Sequence, residues 1–146
     1  LYLWIFGDNI EDRLGHIGYL IFYIAGGLAA ALLQIAIYPN STIPMVGASG
    51  AVAAVLGAYL VMYPQSRVYT FIPIGFYARL RLLRAVVVLG MWFLLQLISG
   101  IGSIGAPDQG GTAYFAHIGG FVFGLVVGSL YKKRGRQPQP APPSWN

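Results

Sequence analysis

Ser49 and His117 are the two residues of this chain whose side chains could do chemistry together. Ser49 stands at the start of one apolar segment, and His117 lies five residues into another. A serine hydroxyl within about 3 Å of an imidazole nitrogen is an activated nucleophile. The chain has no cysteine, which excludes thiolate nucleophiles, disulfides and cysteine metal sites. The pair predicts nucleophilic catalysis, provided that the fold brings the two segments together.

The composition predicts that these segments lie in a membrane. Hydrophobic residues make up 57% of the 146 residues, and Asp, Glu, Lys and Arg only 9%, against roughly 25% in soluble domains. Nine basic and four acidic side chains are too few to cover the water-exposed surface of a domain this long. Soluble enzymes, nucleic-acid-binding proteins and disordered chains are therefore excluded.

Long uncharged stretches divide the chain into membrane spans. None of the four charged residue types occurs in the 53 residues between Arg13 and Arg67, nor in 23-residue stretches on either side of Asp108. A helix needs about 20 apolar residues to cross a bilayer, and the prolines and polar residues of 38–44 split the longest stretch. The predicted fold is an all-α membrane protein, a polytopic helical bundle with part of one further span and four full spans at 17–38, 48–63, 85–104 and 112–131.

The remaining segments complete the predicted organisation. Residues 1–6 are apolar, too short to span and begin without Met, so we expect them to be the second half of a helix whose beginning is missing. Residues 68–77, between arginines, favour a segment along the membrane surface over another crossing. The membrane domain is thus 1–131, and 132–146 is a basic, proline-rich tail expected to be disordered.

All nine Lys and Arg residues fall on one side of this topology. They follow the first partial span, separate the second and third full spans, and follow the last. Because cytoplasmic loops carry the excess of Lys and Arg, this side, with the C-terminus, is predicted to be cytoplasmic. The loops 39–47 and 105–111 then lie on the outer side.

The span at 48–63 is short. Its 16 residues form about 24 Å of helix, less than the bilayer core of roughly 30 Å. The preceding loop is therefore predicted to dip below the outer surface, which requires that it be buried in protein or line a wet cavity. Ser49 would lie there, beside free backbone N–H groups of a first helical turn, which can hold an oxyanion.

Small residues line one side of both segments. Gly120, Gly124 and Gly128 follow His117 on one helical stripe, and small residues let membrane helices approach closely. The Ser49 segment has its own small residues, Gly50, Ala53, Ala54, Gly57 and Ala58. Packing of the two faces would bring the serine and the histidine together near the outer side. A packing seam in a channel or transporter would have the same residues.

No acidic residue completes a triad in this topology. Asp8, Glu11 and Asp12 are predicted on the cytoplasmic side, a bilayer away from the serine. Asp108 is on the outer side, but in a Gly/Pro loop nine residues before the histidine. We expect a dyad whose imidazole is oriented by packing or by neutral hydrogen bonds, which avoids a carboxylate in lipid.

These motifs resemble those of the rhomboid intramembrane serine proteases. Gly47-Ala48-Ser49-Gly50 resembles the family's GxSG nucleophile motif, and the sequence 116–124 is similar to its AHxxGxxxG histidine helix. Residues 6–16 are similar to the loop after the family's second helix, and 92–96 resemble the fifth helix of bacterial members. The matches occur in the family's order and span nearly all of residues 1–131.

The resemblance implies a six-helix core, of which this chain would hold half of the second helix and the four after it. It implies Ser49 as nucleophile, His117 as general base and then acid, and the backbone N–H groups of Ser49 and Ala48 as oxyanion donors. Helix packing near the site would fall to Gly47, Gly50, Gly120 and Gly124. The substrates would be membrane proteins with a transmembrane helix, cut near the outer face through an acyl-enzyme without metal or cofactor.

Two features of the family pattern are missing. The family's side-chain oxyanion donors, an Asn and often a His, would fall just before Leu1, and Asn9 belongs to the wrong face. Some members place a tyrosine one turn after the serine, stacked on the histidine, where this chain has Ala53. Tyr114 and Phe115 are then the nearest aromatic candidates in sequence to orient the ring.

The leading prediction is a serine endopeptidase of the bacterial cytoplasmic membrane, with the bilayer and its substrates as partners and no nucleic acid or metal. Whether this chain alone is active stays open. The alternative is a non-catalytic rhomboid-like protein that binds client helices; inactive relatives usually lack the serine or the histidine, and both are present here. A transporter needs a polar path, for which there are too few polar residues, although Gln34 and Gln96 could form hydrogen bonds across helices.

Overall fold

The computed structural model describes residues 1–74, 77–104 and 111–134. The predicted outer loop with Asp108 and most of the predicted tail lie outside the described residues. A π-helical turn at Leu3–Gly7 leads into the first α-helix. The elements are α1 (Asp8–Ile37), α2 (Ser49–Met62), β1 (Arg67–Ile74), β2 (Tyr77–Arg84), α3 (Ala85–Ser103) and α4 (Tyr114–Arg134).

α1 consists of two helical segments joined at Gly15. The glycine has φ +72° and ψ 161°, a backbone conformation that residues with a Cβ rarely adopt. The segment before it, expected to be a loop, is helical instead. Phe6, Ile10 and Leu14 recur every four residues; Phe6 and Ile10 are buried, and Leu14 packs against the same core. This apolar stripe holds the segment as a helix, although its polar composition suggests a loop.

α2 occupies the centre of the bundle. Its apolar and small residues face every direction around the helix, and ten of its 14 residues are buried, as expected for a helix that is apolar all round. α1 and α4 pack against it at close range. A Cβ at Gly120 would overlap the Gly50 carbonyl oxygen, and one at Gly124 would overlap the Ala54 carbonyl oxygen. α2 and α4 therefore approach each other backbone to backbone along these small residues.

α3 lies at the edge of the bundle. Its buried residues are Ala85, Leu89 and Gly100, and much of its apolar surface is exposed. Its contact with α4 is made by side chains: Phe93 stacks on Phe121 with ring centroids 4.3 Å apart. An exposed apolar surface of this kind suits contact with lipid.

Three helices of the described residues are long and apolar enough to cross a membrane, namely Leu3–Ile37, Ala85–Ser103 and Tyr114–Lys132. α2 has 14 residues, about 21 Å of helix at 1.5 Å per residue. The helical bundle is thus confirmed with three spans of sufficient length, and the fourth full span stays a prediction.

The prediction of an all-α fold is wrong for residues 67–74 and 77–84. β1 and β2 form an antiparallel hairpin whose register runs from Arg67↔Arg84 to Ile74↔Tyr77. Aromatic and β-branched residues such as Val68, Tyr69 and Phe71 favour strands, and cross-strand pairing satisfies their backbone groups. At the base, the Ala85 N–H donates to the Ser66 carbonyl oxygen at 2.7 Å. The hairpin therefore joins the ends of α2 and α3.

Candidate active site

Ser49 and His117 are in contact. The Ser49 Oγ lies 2.8 Å from the His117 Nε2, within hydrogen-bond distance. Ser49 is the first residue of α2 and His117 the fourth of α4, so each side chain lies at the same end of the seam. The two small-residue faces thus bring the serine and the histidine together; the catalytic roles of the residues stay predictions.

Glycines allow the backbone approach that this contact requires. A Cβ at Gly50 would come within 2.5 Å of the Ala30 Cβ on α1 and 3.5 Å of the Ala116 carbonyl oxygen on α4. Gly47, expected to pack between helices, has a different role: its φ is +131°, and a Cβ there would meet only the Ser49 Oγ, at 3.8 Å. Gly47 therefore turns the chain into α2, while Gly50 lets α1 and α4 close around the serine.

The first turn of α2 directs backbone N–H groups toward the serine. Its first helical hydrogen bond runs from the Val52 N–H to the Ala48 carbonyl oxygen at 3.0 Å, and no side chain caps the helix. The N–H groups of residues 49–51 therefore have no acceptor within the helix. They form the positive end of the helix dipole, where an anion is stabilised.

The His117 ring has a second hydrogen bond, to α3. Its Nδ1 lies 2.8 Å from the Gln96 Oε1, and the Trp92 ring packs beside it with centroids 5.7 Å apart. The ring that packs on His117 is thus Trp92 and neither of the candidates from the sequence, Tyr114 and Phe115. Phe115 packs against Tyr38 instead, with ring centroids 5.9 Å apart. The sequence carries one signal for the contact of Gln96 with His117: Gln96 lies one turn after Trp92 within an apolar span.

Both intramembrane glutamines form bonds between helices, as predicted. Besides the Gln96 bond, the Gln34 Oε1 of α1 accepts the backbone N–H of Ala116 at 3.1 Å. This N–H belongs to the first turn of α4 and lacks a helical acceptor. Gln34 therefore caps the helix that carries His117 and fixes its position against α1.

A cavity of about 490 Å³ opens in front of Ser49. Its walls are formed by α1 at 27–31, by residues 43–48 and the start of α2, and by residues 111–117 at the start of α4. Small residues dominate the lining, which includes Gly27, Ala30, Ala31, Ala48, Ala113 and Ala116. The volume falls within the range of small-molecule sites, and Ser49 and His117 both border it.

The acidic residues of α1 lie at the opposite end of the bundle. Glu11 pairs with His16 at 2.5 Å, and the neighbouring Arg13 donates from Nε to the Tyr63 hydroxyl at 3.2 Å. Tyr63 directly follows α2, so the whole helix separates this end from Ser49. Along 1–74, 77–104 and 111–134, no three His, Cys, Asp or Glu residues form a group that could hold a metal ion.

Comparison with known proteins identifies the family. The chain is 28% identical over 153 aligned positions to "Rhomboid protein 1, mitochondrial" of Saccharomyces cerevisiae, an alignment that covers 97% of this chain and 40% of that protein. The chain thus spans less than half the length of this curated relative. No solved structure matches it significantly. The family model for the Rhomboid domain matches residues 1–134. This multi-pass integral membrane protein therefore belongs to the rhomboid family.

Proposed function

We propose that the chain carries the catalytic dyad of an intramembrane serine endopeptidase. The observation that supports this most is the 2.8 Å contact between the Ser49 Oγ and the His117 Nε2. A cavity borders both side chains, so a substrate peptide bond can reach them. Packing alone would not require a serine hydroxyl and an imidazole to meet at the edge of a cavity.

The reaction follows from the position of each group. His117 Nε2 accepts the proton of the Ser49 hydroxyl as Oγ attacks the scissile carbonyl carbon. The tetrahedral oxyanion accepts hydrogen bonds from the N–H groups of Ser49 and Ala48, at the positive end of α2. The C–N bond breaks as the imidazolium gives its proton to the leaving amine. A water molecule, deprotonated by the same imidazole, then hydrolyses the acyl-enzyme and regenerates the serine.

The substrate would be a membrane protein whose transmembrane helix unwinds near the outer face. An extended segment is needed because helical backbone hydrogen bonds shield the scissile carbonyl. Arg13 and the base of the hairpin, with Arg67 and Arg84, lie at the end opposite the dyad. The excess of basic residues makes that end cytoplasmic, so the dyad faces the outer side. The short loops favour a bacterial cytoplasmic membrane; the yeast relative's name assigns that protein to mitochondria.

Active-site labelling tests the proposal. A fluorophosphonate probe should modify the detergent-solubilised protein, and the Ser49→Ala and His117→Ala variants should lose the label. Ser129→Ala is the matched control, because that serine also lies in a membrane helix but bonds to the Leu125 carbonyl of its own helix. The control should label like the parent. A folded parent that takes no label would favour the alternative, in which the cavity binds client helices without cutting them.

A further inference from the structure

We propose that Gln96 is a positioning residue that sets the tautomer of His117. The inference rests on the proposed function, because the tautomer matters for catalysis. It starts from the two hydrogen bonds of one ring: Nδ1 with the Gln96 Oε1 and Nε2 with the Ser49 Oγ, both 2.8 Å long. Gln96 would then take the place that a carboxylate holds in a triad.

The chemistry of the two ring nitrogens fixes the direction of both bonds. A neutral imidazole has one N–H donor and one acceptor nitrogen. The amide oxygen Oε1 can only accept, so Nδ1 carries the hydrogen and Nε2 keeps a lone pair. That lone pair faces the serine Oγ and can take its proton. The opposite tautomer would direct an N–H at the serine and could not act as a base.

α3 holds Gln96 in place through neighbours on the same helical face. Trp92 lies one turn before Gln96, and its ring packs on both His117 and Phe121, with centroids 5.7 Å and 5.9 Å away. Phe93 stacks on the same Phe121 ring at 4.3 Å. These contacts set the rotation of α3 about its axis, and therefore direct the amide of Gln96 at the imidazole.

A neutral amide suits this location better than an acid. An ionised carboxylate within a membrane span is strongly unfavourable, and the acidic side chains of α1 lie at the other end of the bundle. Gln96 is half-buried, where a neutral hydrogen bond is stronger than in water. The amide can thus orient the ring and stabilise the imidazolium without adding a charge to the membrane interior.

Nitrogen NMR of the histidines tests the tautomer without reference to activity. The full chain, labelled with ¹⁵N-histidine in detergent, should show His117 with a protonated Nδ1 and an unprotonated Nε2 at a pH where the ring is neutral. The chain has two histidines, so His16→Gln assigns the other signal. Gln96→Leu should give a mixture of tautomers. Leu95→Ala, which truncates an exposed side chain next to Gln96 on the same helix, should leave the His117 signals unchanged.

The labelling rate with the fluorophosphonate probe gives the second readout. Gln96→Leu should label about 10–100-fold more slowly, the loss typical of removing the partner that orients a metal-binding histidine. Gln96→Glu, which restores an acceptor oxygen, should recover most of the rate. An ionised glutamate would also move the acid limb of the pH–rate profile to higher pH, because it stabilises the imidazolium. Gln96→Asn, with a side chain too short to reach Nδ1, replaces the leucine variant if that protein does not fold.

The outcomes separate the two proposals. Unchanged His117 nitrogen signals in Gln96→Leu or Gln96→Asn would overturn the positioning role of Gln96, whatever the labelling rate of these variants. A protonated Nε2 in the parent would overturn it as well. The parent could have the expected tautomer, and Gln96→Leu could disturb it, while neither the parent nor any variant takes the label. Gln96 would then still set the tautomer, and the proposed protease activity would fail.

Discussion

The α2–α4 and α3–α4 contacts hold the same histidine by different means. α2 and α4 approach through glycine, so that backbone meets backbone at Gly120 and Gly124. α3 and α4 touch through large side chains, above all Phe93 on Phe121. The first contact tolerates no added atom and brings Ser49 to His117. The second can adjust by rotation of side chains and brings Gln96 to the other nitrogen of the ring.

The comparison therefore assigns different duties to the two contacts. A close backbone seam sets the distance between the proposed nucleophile and base, where a misplacement of about 1 Å can cost about 100-fold in rate. A side-chain contact from an edge helix sets the orientation of the ring. We expect damage to the seam to abolish activity and damage to the edge contact to reduce it.

Widening the seam should have the largest effect. Gly124→Val places side-chain atoms where the Ala54 carbonyl oxygen lies, so the helices must separate. Overpacking of this kind destabilises by about 1–3 kcal/mol or more, and fluorophosphonate labelling should be lost. Thermal unfolding in detergent and the labelling rate measure both effects.

Gly90→Ala is the control for that variant. Gly90 lies in α3, and a Cβ there would meet no atom within 4 Å. Its stability should change by less than about 1 kcal/mol, with normal labelling. Equal losses in the two glycine variants would show that the seam is not the special contact that the structure indicates.

Weakening the edge contact should have a moderate effect. Phe93→Ala removes a stacked aromatic pair, worth about 0.5–1.5 kcal/mol, and frees α3 to rotate with Gln96. The labelling rate should fall severalfold without being abolished. Leu95→Ala is the matched control, because Leu95 lies on the same helix and its side chain is 57% exposed. A complete loss of labelling in a folded Phe93→Ala protein would contradict the division of duties.

The sequence could predict the seam because its signals are local to each helix. Small residues at helical spacing mark the faces of α2 and α4, and the lengths of uncharged stretches mark the spans. The partner of the His117 Nδ1 could not be predicted in the same way. It depends on the rotation of α3, which the contact of Phe93 with Phe121 decides, and no pattern within α3 alone specifies that pairing.

Two other sequence predictions, the surface segment at 68–77 and the loop before Gly15, differ from the structure for separate physical reasons. The hairpin of β1 and β2 forms through pairing between strands. A hydropathy profile does not record such pairing, so its apolar residues indicate only a surface segment. The segment before Gly15 is helical, although its charged residues suggest a loop. Its apolar residues at four-residue spacing, with Ile10 fully buried, are the feature of the sequence that indicates a helix there.

The end of the bundle opposite Ser49 should be coupled to stability but not to the Ser49–His117 contact. The Tyr63 hydroxyl accepts from Arg13 Nε at 3.2 Å and donates to the Asn9 carbonyl oxygen at 3.1 Å. Tyr63→Phe removes both bonds, each worth about 0.5–1.5 kcal/mol, and keeps the ring. The thermal midpoint should fall while the labelling rate stays the same. A lower labelling rate in the folded variant would show that α2 transmits changes from this end to Ser49.

The hairpin should contribute least to activity. The prediction for the hairpin concerns its position relative to the membrane. One face carries Tyr69, Phe71, Leu80 and Leu82, all exposed, while Arg81 lies on the opposite face, because neighbouring residues of a strand alternate. The apolar face is expected to lie against the membrane surface. Since the chain has no cysteine, Phe71→Cys and Arg81→Cys each accept a single spin label.

The collision rates of these two labels in lipid vesicles test the orientation of the hairpin. The label at Phe71 should collide with oxygen, which concentrates in the bilayer, and the label at Arg81 with a water-soluble nickel chelate. Both variants should react with the fluorophosphonate probe at the parent rate, because the hairpin lies a full helix away from Ser49. Equal access of the nickel chelate to both labels would place the hairpin in water, and the exposed aromatic face would not be a membrane contact.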